Sequence, residues 1–156
     1  MSDHVQMQFN QITDQIFLGT NSCCQVHFEE SLLAKGITAD VSMEGERIDA
    51  AFGVETYLWL PTADHEAPSQ KKLWLGSDYL YDVVNSGDKA YVHCMNGHGR
   101  GPTMVAAFLI KHEQMGVQES IDYIAERRPE IHIEDVQVAA LGMFEVICKK
   151  HREDHN

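Results

Sequence analysis

A short apolar segment runs into a glycine-rich stretch and then into a longer apolar segment, and this passage constrains the fold most. The first segment, residues 89–93 (KAYVH), is typical of a buried strand. The stretch CMNGHGRGPT contains three glycines, and the segment MVAAFLI after it is apolar on every side. A helix of that composition must lie inside a domain. We therefore predict a strand, a tight loop and a central helix in direct succession, with Pro102 at the first helical position.

The segments on either side predict further strands and helices. Strands are predicted for Ile16–Gly19, for residues 37–43 and for residues 55–60, the last ending at Pro61. Helices are predicted for residues 28–35 (closed by Gly36), 69–85, 117–127 and 134–151. The buried face of the last helix is expected to hold Val136, Ala140, Met143, Phe144 and Ile147. At 156 residues the chain fits a single α/β domain whose sheet is covered by helices.

The charge balance limits the partners of the protein. Twelve basic and 24 acidic residues give a formal charge of −12, which disfavours non-specific binding to nucleic acid or to an anionic membrane. Any phosphate site must therefore create its own local positive potential. The chain contains no apolar run of the roughly 18 residues that a membrane span needs, and its first residues lack the pattern of a secretory leader. We expect a cytoplasmic protein without stable membrane insertion or nucleic-acid partner.

The cysteines and histidines do not predict a metal or a disulfide framework. The four cysteines are Cys23, Cys24, Cys94 and Cys148, and their spacing fits neither a zinc motif nor a set of disulfides. The nine histidines are scattered, and no HExxH motif occurs. We therefore expect free thiols in a reducing compartment, and no metal or other cofactor.

The glycine-rich stretch predicts an oxyanion site. Cys94 follows the strand directly, and Arg100 comes six residues later at the helix entrance. Glycines let the backbone N–H groups of a loop turn inward, and the helix N-terminus adds unpaired N–H groups. Such a site stabilises a thiolate nucleophile, and a guanidinium there grips two phosphate oxygens. A dinucleotide fingerprint would need glycine at Pro102 and a nucleotide loop would need G-K-[ST], so neither fits. A buried structural cysteine is the remaining alternative.

The motif His93-Cys94-x-x-Gly97-x-x-Arg100 has the H-C-x-x-G-x-x-R form of the protein tyrosine phosphatase superfamily. The small size resembles the dual-specificity branch, and so do the segments IFLG, LPTADHEAPS, YVHC, TMVAAFLI and ERRPEIHI, in that order. The resemblance covers about residues 12–148, which would be the core of a single catalytic domain spanning residues 1–156. It implies a protein tyrosine phosphatase-like fold with a central mixed, largely parallel sheet flanked by helices. The stretch from YVHC to IHIEDVQ also resembles the mitochondrial phosphatidylglycerophosphate phosphatases.

The resemblance implies a role for each residue of the site. Cys94 would be the nucleophile, Arg100 would bind phosphate, and Asp64, on a loop about thirty residues earlier, would be the general acid, with Glu66 as the reserve. His93 would orient the loop, and Gln137 resembles a position that places the hydrolytic water. The substrate-binding cradle would consist of Met95, Asn96, Gly97, His98, Gly99 and Arg100.

One position departs from the family pattern. Relatives usually have Ser or Thr after the arginine, where the hydroxyl stabilises the departing thiolate, and this chain has Gly101. We hypothesise that Thr103 partly substitutes, or that dephosphorylation of Cys94 is slow. Alternatively, the hydroxyl of Thr103 bonds back within the helix. Cys23 and Cys24 are either redox partners of Cys94 or inert.

The function expected from these features is hydrolysis of phosphate monoesters through a phosphocysteine. The chain is too short for the segments that build a deep phosphotyrosine cleft in larger relatives, so phosphotyrosine, phosphoserine and phosphothreonine of proteins, or a small phosphomonoester, are all expected substrates. We expect a monomer. Two alternatives use the same site: a phospholipid phosphatase acting on a phosphatidylglycerophosphate-like substrate, and a non-catalytic phosphate-binding module. An RNA 5′-phosphatase is disfavoured by the acidic charge.

Overall fold

A computed structural model describes residues 7–21, 30–48 and 51–155. The strands among these residues are β1 (Phe9–Gln11), β2 (Ile16–Gly19), β3 (Ile37–Glu44), β4 (Thr56–Thr62) and β5 (Lys89–His93). The helices are α1 (Glu30–Ala34), α2 (Gln70–Asn85), α3 (Arg100–His112), α4 (Val117–Arg127) and α5 (Asp135–Asp154). None of these helices is both long and apolar enough to cross a bilayer.

The strands form one mixed sheet in the order β1-β2-β5-β3-β4. The short β1 pairs antiparallel with β2, and the other three pairings are parallel. The predicted α/β fold with a largely parallel central sheet is therefore confirmed. Because β3, β4 and β5 run in the same direction, the loops that follow them emerge at one edge of the sheet, where α/β proteins place their sites.

The two faces of the sheet have separate cores. Successive side chains of a strand point to opposite faces. Accordingly, Ile16 and Leu18 of β2 belong to the large core, whereas Phe17 between them belongs to a smaller cluster with Leu32 and Tyr91 on the other face. Burial on both faces explains why β2 and β5 read as continuous apolar runs.

Helix α3 is the central helix of the large core, as its composition predicts. Every residue from Arg100 to Ile110 is buried, and α3 packs on the sheet and on α2, α4 and α5. The predicted place of Pro102 is wrong, because α3 begins at Arg100 and Pro102 is its third residue. The whole first turn tolerates proline, since none of its N–H groups has an intrahelical acceptor.

Helix α2 begins and ends where the sequence predicts. The Ser69 side chain accepts a hydrogen bond from the Lys72 N–H and caps the first turn, and Gly87, with φ of +82°, follows the end of the helix. Helix α1 also ends as predicted, before Gly36, whose φ is +89°. Phe28 and Glu29, the predicted start of α1, lie outside the described residues.

One strand prediction needs correction, and one strand was missed. Strand β4 continues through Pro61 to Thr62 instead of ending before the proline. It is an edge strand, where a residue without an N–H group removes no ladder bond on the open side. Strand β1 was not predicted, since three residues are too few to show a periodic pattern.

The buried face of α5 differs from the predicted one. The buried residues are Gln137, Leu141, Phe144 and Cys148, whereas Val136 and Met143 are 55% and 59% exposed. Helix α5 is therefore rotated by about one residue relative to the predicted face. Its residues are apolar on two adjacent faces, so periodicity alone did not distinguish them.

Candidate active site

Cys94 lies directly after β5, at the floor of a pocket formed by the loop between β5 and α3. Cys94 is only 2% exposed, yet it lines the pocket. The backbone N–H of Gly101 points at the sulfur, with 3.4 Å between N and Sγ. A Cβ on Gly101 would lie 3.6 Å from Sγ and 2.9 Å from Leu18 Cδ1. The first turn of α3 thus approaches the sulfur with its backbone and places a hydrogen-bond donor beside it.

The loop owes its shape to a buried arginine that sequence reasoning missed. Arg128, 1% exposed, donates from Nε to the Gly97 carbonyl at 3.0 Å and from Nη2 to the Asn96 carbonyl at 3.2 Å. Its Nη1 donates to Asn10 Oδ1 at 2.7 Å. These two carbonyls are therefore bonded to Arg128, which is not among the described residues that line the pocket. Gly97 has φ of +68°, and a Cβ there would lie 2.7 Å from the Gly19 backbone, so glycine is required.

Arg100 is held in place by groups at and just beyond the ends of β3 and β4. Its Nη1 donates to Glu46 Oε1 and to the Thr62 carbonyl, both at 2.7 Å, and its Nη2 lies 3.6 Å from Asp64 Oδ1. Its Nε is buried and has no acceptor among the described residues. Burial opposes the charged form, but the bond to Glu46 and the charges of Cys94 and Asp64 outweigh it and raise the pKa of Arg100. The guanidinium is therefore a fixed cation beside the sulfur.

Glu46 was not singled out by its sequence. It lies two residues beyond the end of β3, and its partner Arg100 is 54 residues away in the chain. The parallel pairing of β3 with β5 brings the two together.

Asp64 lies on the loop after β4, called here the acid loop (residues 63–68). Its carboxyl group is half exposed, and it lines the same pocket as Cys94 and Arg100. Glu66, the reserve general acid, is not among the described residues that line this pocket, and its carbonyl accepts from Gln137 Nε2 at 3.0 Å. The geometry therefore favours Asp64 of the two.

The pocket encloses about 120 Å³. Its lining residues in the described part of the chain are Asp64, His65, Cys94, Asn96, His98, Gly99, Arg100, His132, Glu134 and Gln137. Two residues of the predicted cradle do not line it. The Met95 residue is 41% exposed and its carbonyl accepts from the Asn21 N–H at 3.3 Å, while Gly97 is buried beside Gly19 and Arg128.

His93 directly precedes Cys94 and is not among the described residues that line the pocket. Its Nε2 is 2.9 Å from Asp40 Oδ1, and both residues are buried. The ring stacks on Tyr91, whose pKa is raised well above its ordinary value by burial and by the charge of Asp40. After Arg128 and Glu46, Asp40 is thus the third residue that contacts the predicted site and that sequence analysis did not identify.

Gln137 is buried and lines the pocket, in the first turn of α5. Its Oε1 accepts from the Glu134 N–H at 2.8 Å.

The role suggested for Thr103 needs correction. Its hydroxyl donates to the Gly99 carbonyl at 2.7 Å, the alternative in which it bonds back within the helix, so its proton is not directed at Cys94.

Cys94 and Cys148 are free thiols, and Cys148 is buried in the large core. Cys23 and Cys24 lie outside the described residues. Within residues 7–21, 30–48 and 51–155, no three His, Cys, Asp or Glu side chains are arranged to hold a metal ion.

Curated relatives are phosphatases of two kinds. Dual specificity protein phosphatase 5 of Homo sapiens is 33% identical over 93 residues, which are 59% of this chain and 24% of that protein. Phosphatidylglycerophosphatase and protein-tyrosine phosphatase 1 of Homo sapiens is 37% identical over 93 residues, 59% of this chain and 46% of that protein. The match thus spans less than half of either relative.

Solved structures share the fold over almost the whole chain. The crystal structure of PTPMT1 in complex with PI(5)P has a TM-score of 0.81 and 25% identity, covering 92% of this chain and 98% of that one. A mouse putative dual specificity phosphatase complexed with zinc tungstate has a TM-score of 0.83 and 21% identity, covering 97% and 95%.

The family described as "Dual specificity phosphatase, catalytic domain" matches residues 16–146. That range runs from β2 into α5 and includes Asp64, Cys94, Arg100 and Gln137. This chain therefore belongs to the dual-specificity phosphatase family of the cysteine-based protein tyrosine phosphatase superfamily.

Proposed function

We propose that this protein is a cysteine-dependent phosphatase that hydrolyses phosphate monoesters of proteins. One observation carries the proposal: the Cys94 sulfur, the Arg100 guanidinium and the Asp64 carboxyl line one pocket of about 120 Å³. A nucleophile, a cation for the phosphoryl oxygens and a proton donor are the three components that the reaction needs.

In the first step, the Cys94 thiolate attacks phosphorus. The S–P bond forms as the P–O bond to the leaving group breaks, and Asp64 gives its proton to the departing oxygen. The Nε of Arg100, which has no acceptor among the described residues, is available to the phosphoryl oxygens, and Glu46 keeps the guanidinium in place.

In the second step, water attacks the phosphocysteine. The new O–P bond forms as the S–P bond breaks, Asp64 takes the proton from water, and phosphate leaves with the thiolate restored. Gln137 lies beside Gly99 at the pocket wall, where its amide could orient the water. The Gly101 N–H donates a hydrogen bond to the departing sulfur.

The test is hydrolysis of 4-nitrophenyl phosphate by the wild type and by Cys94→Ser, with Cys148→Ser as the control in which another free cysteine is replaced. We expect loss of turnover in Cys94→Ser, near-normal turnover in Cys148→Ser, and a phosphocysteine trapped by acid quench in the wild type. Equal turnover in both variants would refute a cysteine nucleophile.

For the substrate, we propose phosphotyrosine, phosphoserine and phosphothreonine of proteins. The supporting observations are the family and the relatives named as dual specificity protein phosphatases. Matched phosphopeptides that differ only in the phosphorylated residue, compared by kcat/KM, test this. Turnover of none of the three would exclude a protein substrate.

A phospholipid substrate is the second candidate. The relative named phosphatidylglycerophosphatase and the PTPMT1 structure with PI(5)P favour it. Side-by-side kcat/KM values for a phosphopeptide and for phosphatidylglycerophosphate in mixed micelles decide between the two. A lipid preference of more than about tenfold, or about 1.4 kcal/mol in transition-state binding, would replace the protein substrate.

The third candidate is a phosphate-binding module without catalysis, which only Gly101 suggests. Such a module would bind phosphopeptides and turn over no substrate in the wild type or in Cys94→Ser.

We also propose that the protein acts as a monomer in the cytoplasm. The free thiols of Cys94 and Cys148 support a reducing compartment, and light scattering and cell fractionation test the two statements.

A further inference from the structure

The acid loop is tied to the N-terminus of α5 at two points. His65 Nδ1 lies 3.0 Å from Glu134 Oε1, and the Glu66 carbonyl accepts from Gln137 Nε2 at 3.0 Å. Glu134 and Gln137 are themselves joined, since the Glu134 N–H donates to Gln137 Oε1. The segment that carries Asp64 is therefore fastened to a helix that belongs to the core.

His65 is oriented by its polar partners and not by packing. Its side chain is 76% exposed, and its backbone is left-handed, with φ of +66°, which is uncommon for a residue other than glycine. In this conformation its N–H donates to Asp64 Oδ1 at 3.0 Å, and its ring Nε2 lies 3.6 Å from Asp64 Oδ2. The ring thus lies between the carboxyl groups of Asp64 and Glu134.

We propose that His65 is a positioning residue that ties the acid loop to Glu134 and so keeps Asp64 at the rim of the pocket for proton transfer. This inference rests on the proposed function, because it assigns Asp64 the role of general acid.

The charge environment favours an imidazolium at His65. The bond to Glu134 first, and then the charge of Asp64, raise its pKa above 6.5, while solvent exclusion and Arg100 oppose this. The other titratable and charged groups that line the two pockets beside His65 are Asp64, Cys94, His98, Arg100, His132, Glu134 and Asp135. Since the folded-state pKa is raised, the ionic form of the tie is complete at acidic pH and is lost as pH rises through that pKa.

General-acid catalysis matters most when the leaving group is a poor one. Phenol, with a pKa of about 10 like tyrosine, needs a proton as it departs, whereas the more acidic 4-nitrophenol needs far less help. The kcat/KM value contains only the steps up to departure of the leaving group. It is therefore insensitive to the rate at which the phosphocysteine is hydrolysed in the second step.

The first experiment measures kcat/KM for 4-nitrophenyl phosphate and phenyl phosphate in the wild type, His65→Gln and Glu134→Gln. We expect the ratio of the two values to rise by about tenfold in each variant and no further in the double variant. This is less than the roughly 100- to 10,000-fold that a proton donor contributes, because Asp64 itself is retained. Glu130→Gln, at an exposed position four residues before Glu134, is the control whose ratio equals that of the wild type. An unchanged ratio in His65→Gln, or equal loss with both substrates, overturns the inference.

The second experiment follows the His65 ring proton by NMR as pH is varied, and it needs no activity. We expect the pKa of His65 to fall in Glu134→Gln and to stay unchanged in Glu130→Gln. A His65 pKa that is the same in all three proteins overturns the pairing. If the wild type hydrolyses neither ester while the titration shows the pair, the proposed function fails and not the pairing, so the two failures are distinguishable.

Discussion

At the scale of single residues, Gly101 has no side chain, so the backbone of α3 lies close to the sulfur of Cys94. A Cβ at this position would lie 3.6 Å from Sγ, so a serine hydroxyl there can reach the departing thiolate. We expect Gly101→Ser to raise the rate of phosphocysteine hydrolysis about tenfold, because a hydroxyl donor would be added at the leaving group. Rapid-quench kinetics with 4-nitrophenyl phosphate measure this rate as the phase after the burst.

Gly101→Ala is the matched variant for that prediction. It introduces the same Cβ, 2.9 Å from Leu18 Cδ1, so it reproduces the steric cost without a hydroxyl. Alanine should therefore leave the rate unchanged or lower it. If serine and alanine give the same rate, the hydroxyl has no role at position 101.

Arg128 gives a second prediction at this scale. Lysine retains the charge but lacks the fork of donors that reaches two loop carbonyls and Asn10. We expect Arg128→Lys to lower the free energy of unfolding by about 1–3 kcal/mol, since buried acceptors lose their donors. We also expect kcat/KM to fall by about 100-fold, as misplaced catalytic groups do. Urea denaturation and steady-state kinetics measure the two effects.

The adjacent Arg127 provides the control for Arg128. It is 35% exposed and contacts the Tyr123 ring and carbonyl on its own helix. Arg127→Lys should change the free energy of unfolding by no more than about 0.5 kcal/mol and leave kcat/KM unaltered. Equal effects at both positions would mean that Arg128 has no special relation to the loop.

Sequence analysis identified those residues of the site that are recognised by their chemistry and by their spacing in the chain. Cys94, Arg100 and the N–H groups between them lie within seven consecutive residues, so their association needed no knowledge of the fold. Glu46, Arg128 and Asp40 were missed, because each acts on a partner at least 31 residues away. An ordinary Glu, Arg or Asp acquires such a role only when the sheet is assembled.

At the scale of secondary structure, the rotation of α5 predicts different costs for neighbouring substitutions. Leu141 is fully buried, whereas Met143 is 59% exposed. We expect Leu141→Ala to lower the free energy of unfolding by about 2–5 kcal/mol through loss of packing and a residual cavity. Met143→Ala should cost no more than about 0.5 kcal/mol. Chemical denaturation of the two variants measures both values, and similar costs would restore the predicted face.

The elements themselves were largely predictable, and their exact faces and ends were not. Helix α2 has a serine cap and a following glycine, and α3 is apolar all round, so local chemistry determines both. The face of α5 and the end of β4 depend on neighbours: the packing of α5 on α3, and the position of β4 at the sheet edge. Such information is absent from any short window of sequence.

At the scale of the whole molecule, the parallel sheet explains why distant residues form one site. Residues Glu46, Asp64 and Cys94 follow β3, β4 and β5, which are neighbours in the sheet and run in the same direction. Sequence analysis predicted the fold class, and the resemblance implied a sheet of this kind. It did not predict the order of the strands, which brings these three residues together.

The net charge of −12 predicts how salt affects the reaction with charged peptides. An acidic protein repels an acidic phosphopeptide and attracts a basic one, and both effects weaken as the Debye length falls from about 30 Å at 0.01 M to about 8 Å at 0.15 M. Over this range kcat/KM should rise for a phosphopeptide flanked by glutamates and fall for one flanked by lysines. Steady-state kinetics in sodium chloride measure both, and a peptide with uncharged flanks corrects for weakened phosphate binding at Arg100. If the two charged peptides respond alike after that correction, the local field of the pocket controls encounter, and the surface charge does not.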